Sequence, residues 1–238
     1  MQPYFSLSKS PFYSFLFTIP LFILYELGVI AVSGNDAFVL RNGADVFMRQ
    51  FLTLFGVLGV YGFSALFLLG FLATYFYHRH KWETVDFNSS YLIVMFLESI
   101  MWAVLLYFSL AQAMLTLMNP NGIMLTQQVV LAIGAGIYEE MLFRVLLIAG
   151  LASLFNLIFQ WNKSVSQWAG MVLAAIVFSL FHFLGEFGDH FRFDLFFIRF
   201  IAGMILGTLY VFRGFGITAY AHSIYDLIVL TQITKNDF

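Results

Sequence analysis

Seven long apolar stretches limit what this chain can fold into: residues 11–32, 51–77, 91–118, 129–154, 167–184, 195–212 and 216–233. A membrane-spanning helix needs about 20 predominantly apolar residues. In lipid every backbone N–H and C=O must find its partner within the protein, which leaves only helices and closed barrels. Continuous runs of this length read as helices, because barrel strands are short and alternate in polarity. Only 10% of the residues are charged, against about 25% in a soluble domain, and 61% are hydrophobic. The expected fold class is all-α: a polytopic transmembrane bundle of about seven to eight helices enclosing a polar cavity, with residues 1–238 as a single integral-membrane domain.

Several classes of function fall away. A net charge of −2 and a pI near 6.2 give no electrostatic footprint for nucleic acid. Cysteine is absent, which removes disulfides, thiol nucleophiles and cysteine-based metal sites. The first apolar stretch is longer than the core of a secretory signal and contains Glu26, so it reads as a retained helix. Asn119-Pro120-Asn121-Gly122 marks a turn ahead of the fourth stretch. Gly203 and Gly207 make a small-xxx-small pattern in the sixth, which points to close packing within the chain.

The fourth stretch carries the anomaly. Ile137-Tyr138-Glu139-Glu140-Met141-Leu142-Phe143-Arg144 puts two carboxylates and a guanidinium inside an apolar run. Each such charge costs about 2.5–3.5 kcal/mol on insertion scales, and charges that persist usually line a working interior. Glu140 and Arg144 are four apart, in the order that favours pairing. Glu139 lies about 100° further round the helix and is left free to face a cavity. A purely structural ion pair would need no second carboxylate, and buried pairs are weak evidence for stability.

Two later stretches add polar groups. His182 closes Phe178-Ser179-Leu180-Phe181-His182, and His222 stands four residues before Asp226 in the last stretch. If the helices bundle, the groups converge. Glu139 with His182 can deprotonate a water, and a second imidazole can stabilise the oxyanion formed when that water adds to a peptide carbonyl. The same side chains, His182, His222, Glu139 and Asp226, could instead hold a divalent metal such as zinc. Neither H-E-x-x-H nor G-x-S-x-G occurs. Glu26, Glu98 and Arg199 are further charges within the stretches; any two of them could form a structural pair, and none is placed in the site.

The pattern Glu139-Glu140-x-x-x-Arg144, Phe178-x-x-x-His182 and His222-x-x-x-Asp226 resembles the three signature motifs of the CPBP intramembrane proteases. This is the family of the type II CAAX prenyl endopeptidase, with bacterial Abi-type members. The resemblance covers residues 129–231. It implies a helical membrane fold of about eight helices, a peptide or membrane-anchored protein as substrate, and a setting in the bacterial cytoplasmic membrane. It implies that Glu139 and His182 activate water, that His222 and residue 226 form the oxyanion hole, and that Glu140 and Arg144 support the first motif. No cofactor is expected on that reading, with a metal-dependent protease as its variant. The family pattern has Asn where this chain has Asp226. Asp226 is then protonated, or accepts the ring N–H of His222, or ligates a metal. Two other classes use the same residues: a non-catalytic binding or immunity protein on this fold, and an ion-coupled transporter built on a Glu/His/Asp relay.

Overall fold

A computed structural model describes residues 4–33, 40–54, 56, 65, 68–70, 72, 73, 76, 88–115, 125–185 and 188–236. Among these residues the secondary structure is helical throughout. The helices are α1 (Tyr4–Ser8), α2 (Pro11–Ser33), α3 (Gly43–Thr53), α4 (Ser90–Leu115), α5 (Leu125–Phe159), α6 (Lys163–Phe181), α7 (Phe193–Arg213) and α8 (Phe215–Asn236). Five of them, α2, α4, α5, α6 and α7, are long and apolar enough to cross a membrane. The chain is a multi-pass membrane protein and its fold an all-helical bundle. The expected span over 51–77 and the turn over 119–122 lie mostly or wholly outside the described residues.

Burial explains which sequences became which helices. The spanning helices expose Leu27, Phe108, Leu157 and Phe212, side chains that would drive aggregation in water and are ordinary against lipid tails. Helix α8 is the exception. It is long, yet it is not among the five apolar spans, and it is surrounded by α2, α4, α5 and α7. A helix enclosed by other helices needs no lipid-facing stripe. It can therefore carry Thr218, His222 and Ser223, all buried.

Helix α5 is wound in three sections: an α-helical start (Leu125–Gly134), a π-helical stretch (Ala135–Ile148) and an α-helical end (Ala149–Phe159). The π-helix is rare, and its single-turn form is frequent at functional sites; here the π-helical stretch contains Glu139, Glu140 and Arg144. Gly136 lets α8 approach this stretch. A Cβ there would lie 2.1 Å from Ser223 Oγ and 2.3 Å from the Ala219 carbonyl oxygen. Gly214, at φ 82°, takes a backbone conformation open to glycine and separates α7 from α8. The small-xxx-small pattern is used inside the chain, since Gly203 meets Ala175 and Gly207 meets Met171, both on α6.

Glu26 and Glu98 are paired, each with arginines other than Arg199. Glu98 accepts from Arg213 (Nε 2.5 Å, Nη2 2.7 Å), from the Tyr4 hydroxyl (2.7 Å) and from Trp102 Nε1 (3.3 Å), which ties α1, α4 and α7 together. Glu26 pairs with Arg41 (3.3 Å) and Arg49 (3.2 Å), and Asp45 pairs with the same two arginines at 2.8 and 2.5 Å. This four-charge cluster fixes α3, a helix in what reads from sequence as a polar connection, against α2.

Candidate active site

Glu139 and Glu140 are neighbours that face different ways, and the difference defines the site. Glu140 is fully buried. Its Oε2 stands 3.1 Å from Arg144 Nε and its Oε1 lies 2.7 Å from His222 Nδ1. Arg144 lays its guanidinium over the Phe178 ring at 4.3 Å, a contact that lowers the cost of burying the charge. A carboxylate only accepts, so His222 Nδ1 carries a proton and donates it to Glu140. The Glu140–Arg144 pair thus supports the third motif as well as the first, through His222.

Glu139 points the other way, into a cavity of about 340 Å³ that is also lined by His182, His222 and Asp226. The volume lies in the range of small-ligand sites. Its Oε1 accepts from Asn42 Nδ2 at 2.9 Å. Its Oε2 faces His182 Nε2 at 3.9 Å, across the gap between α5 and the end of α6. His182 Nδ1 lies 2.9 Å from the Phe178 carbonyl oxygen. A carbonyl cannot donate, so Nδ1 holds a ring proton, and in the neutral imidazole Nε2 presents a lone pair. Two acceptors 3.9 Å apart have no direct bond, and the separation admits a water that donates one hydrogen to each.

Asp226 Oδ2 is 3.6 Å from His222 Nε2, beyond hydrogen-bond reach. The partner that orients His222 is therefore Glu140 at Nδ1, which leaves Nε2 directed toward the cavity it shares with Asp226. Among the described residues no three His, Asp or Glu side chains are gathered closely enough to hold a metal ion.

Residues 120–228, a little under half of the chain, match the family model described as type II CAAX prenyl endopeptidase Rce1-like. This agrees with the CPBP resemblance of the three motifs and supports, in general, a CAAX-type intramembrane protease with a peptide or protein as its substrate. No curated protein and no solved structure matches the chain. The Rce1-like stretch holds Glu139, Glu140, Arg144, His182, His222 and Asp226.

A polar partner of Glu139 lies outside that stretch. Asn42 caps α3, with its Oδ1 accepting from the Ala44 N–H at 2.9 Å, and its own backbone N–H donates to the Tyr25 hydroxyl at 3.1 Å. Tyr25 in turn donates to Asp45 at 2.9 Å. The charged cluster of α2 and α3 thereby fixes the amide that holds Glu139 Oε1. An Asn before an amphipathic helix signals a cap in sequence, but nothing local links it to a carboxylate 97 positions away. Asn42→Ala is expected to lower kcat/KM for cleavage about 100-fold, the order of loss when a reacting group is misplaced by about 1 Å. The lost cap should cost only about 1 kcal/mol of stability. Cleavage assays alongside thermal unfolding in detergent separate the two effects.

Proposed function

We propose that the protein is an intramembrane endopeptidase that hydrolyses a peptide bond with a water activated by Glu139 and His182. The observation that carries this reading is the pair of acceptors, Glu139 Oε2 and His182 Nε2, held 3.9 Å apart on the wall of the shared cavity. A water between them donates a hydrogen to each and turns its oxygen lone pair toward the cavity. Its oxygen adds to the scissile carbonyl carbon as Glu139 takes the proton. The negative charge that develops on the carbonyl oxygen is met by the Nε2–H of His222 in its imidazolium form, whose Nδ1–H is held by Glu140, itself paired with Arg144. Collapse of the tetrahedral adduct breaks the C–N bond, and the proton taken from water passes to the leaving nitrogen. The products are a carboxylic acid and an amine, with no covalent enzyme intermediate.

In this scheme Asn42 leaves Oε2 as the free oxygen of Glu139, and Asp226 bounds the cavity on the far side of His222. The whole chain works as one membrane domain, with the reaction in its second half. By its likeness to Abi-type proteins its setting is the cytoplasmic membrane of a bacterium.

The test is cleavage of labelled peptides and membrane-anchored proteins by the full chain in liposomes, in ¹⁸O-water and with excess chelator. The expected products carry one ¹⁸O in the new carboxyl group, and cleavage persists in the chelator. Loss of activity in chelator, restored by zinc, would replace this mechanism by the metal-dependent one. No cleavage under any condition, with toxin protection or solute uptake instead, would end the protease reading.

A further inference from the structure

The start of α2, the second turn of α6 and the passage from α7 to α8 enclose a second pocket, of about 190 Å³. It lies toward the opposite end of α6 from His182, and no residue lines both it and the cavity of Glu139. Its single charged lining residue is Lys9, and no carboxylate lines it. Lys9 is exposed, and its Nζ donates to the Val211 carbonyl oxygen near the end of α7. An ammonium has three N–H donors, so this bond orients the group and leaves two for a ligand. Gln167 and Tyr210, both half-buried, line the same pocket, and their side chains make no hydrogen bond among the described residues. Phe15, Met141, Val145 and Phe215 form the apolar part of the wall. Lys9 stands two residues ahead of one apolar span, and Tyr210 lies in the last turn of another. Span ends are where side chains meet lipid headgroups, and basic pockets between spanning helices are suited to hold them.

We propose that this pocket binds one anionic phospholipid, with the phosphate accepting from Lys9, Gln167 and Tyr210 and the upper acyl chain lying along Phe15, Met141, Val145 and Phe215. The charge decides the class of headgroup. A cation with no carboxylate beside it is matched by a lipid of net negative charge, whereas a zwitterionic headgroup brings an ammonium of its own. The apolar wall decides for a lipid over free phosphate, which gains nothing from burying such surface. Met141 and Val145 belong to the π-helical stretch that carries Glu139, Glu140 and Arg144, so the lipid packs against that stretch from outside the cavity. The site stands independently of the reaction performed there.

The test titrates the full chain, delipidated in neutral detergent, with dioleoyl phosphatidylglycerol, dioleoyl phosphatidylcholine or inorganic phosphate. Bound lipid is counted by native mass spectrometry, and the unfolding midpoint is followed alongside. Phosphatidylglycerol is expected to bind about tenfold more tightly than phosphatidylcholine, the order of a charge-assisted hydrogen bond, and to raise the midpoint. Lys9→Gln should bring the two lipids to within about twofold of each other, and Lys9→Arg should keep most of the difference. Gln167→Leu and Tyr210→Phe should each weaken phosphatidylglycerol about threefold, as the loss of one neutral hydrogen bond does. Lys163→Gln removes an exposed cation at the start of α6 that does not line the pocket, and should leave the preference unchanged. Equal binding of the two lipids, or a loss in Lys163→Gln as large as that in Lys9→Gln, overturns the proposal. So does inorganic phosphate raising the midpoint as far as the lipid does. Where Lys9→Gln fails to fold, the two neutral variants, which keep the bond to Val211, decide: unchanged phosphatidylglycerol binding in both overturns the site.

Discussion

Glu139→Gln is expected to reduce peptide cleavage by about 10⁴-fold, the upper end of what a general base contributes, with little change in the unfolding midpoint. The geometry makes the substitution informative. A glutamine has the same shape, and its carbonyl oxygen can still accept from Asn42 Nδ2, so the 2.9 Å bond to α3 survives. The other terminal atom becomes an NH2 group that faces His182 Nε2. It donates where Oε2 accepted, removes one of the two acceptors that orient the water, and cannot take a proton. The fold should persist while the chemistry stops. Cleavage measured over days rather than minutes sets the residual rate, and circular dichroism checks the fold. A variant that still cleaves within tenfold of the unsubstituted protein would falsify the assignment of Glu139 as the base.

Arg144→Met should cost about 3–5 kcal/mol of stability, the usual penalty for stranding one member of a buried ion pair. Arg144 is 2% exposed and Glu140 not at all. Removing the guanidinium leaves Glu140 to rely on His222 and takes the stacked partner from the Phe178 ring. The double variant Glu140→Gln with Arg144→Met should recover most of the loss, because replacing both partners leaves no uncompensated charge. Activity should not recover with it, since a glutamine holds His222 Nδ1 more weakly than a carboxylate. Unfolding in a graded detergent series measures the first effect and kcat the second. An unchanged midpoint for Arg144→Met would show that the pair carries no support for the site.

The parts of the site that could be read from sequence are those whose cause is local. Glu140 and Arg144 are four apart on a helix and they meet. Glu139 is turned away from them and it faces the cavity. Both follow from helical periodicity. His182 at the end of α6 and His222 ahead of Asp226 in α8 are likewise visible as polar groups with a cost to justify in an apolar chain. Asn42 and Arg199 are not. Asn42 has the signature of the cap it is, and its other bond, to Glu139, depends on how α3 is seated by four charges. Arg199 resembles any pairable cation, and only the direction of α7 decides that it joins the cavity lining. The 3.6 Å between His222 and Asp226 is of the same kind: i and i+4 spacing brings two side chains near, and a competing carboxylate on another helix decides which bond forms.

The sequence by itself determined that this chain lives in lipid, that it is helical, and that three late helices carry the ionisable groups of the candidate site. Those properties are written in hydropathy and in spacings of a few residues, which act wherever the chain goes. The tertiary structure decided which oxygen of Glu139 is free, which acid holds His222, and which cation joins the cavity. Each of those depends on contacts between helices far apart in the chain, set by close backbone approach at Gly136 and by the winding of α5. Distances of a few tenths of an ångström between such helices choose among hydrogen bonds of similar strength, and no local pattern encodes them.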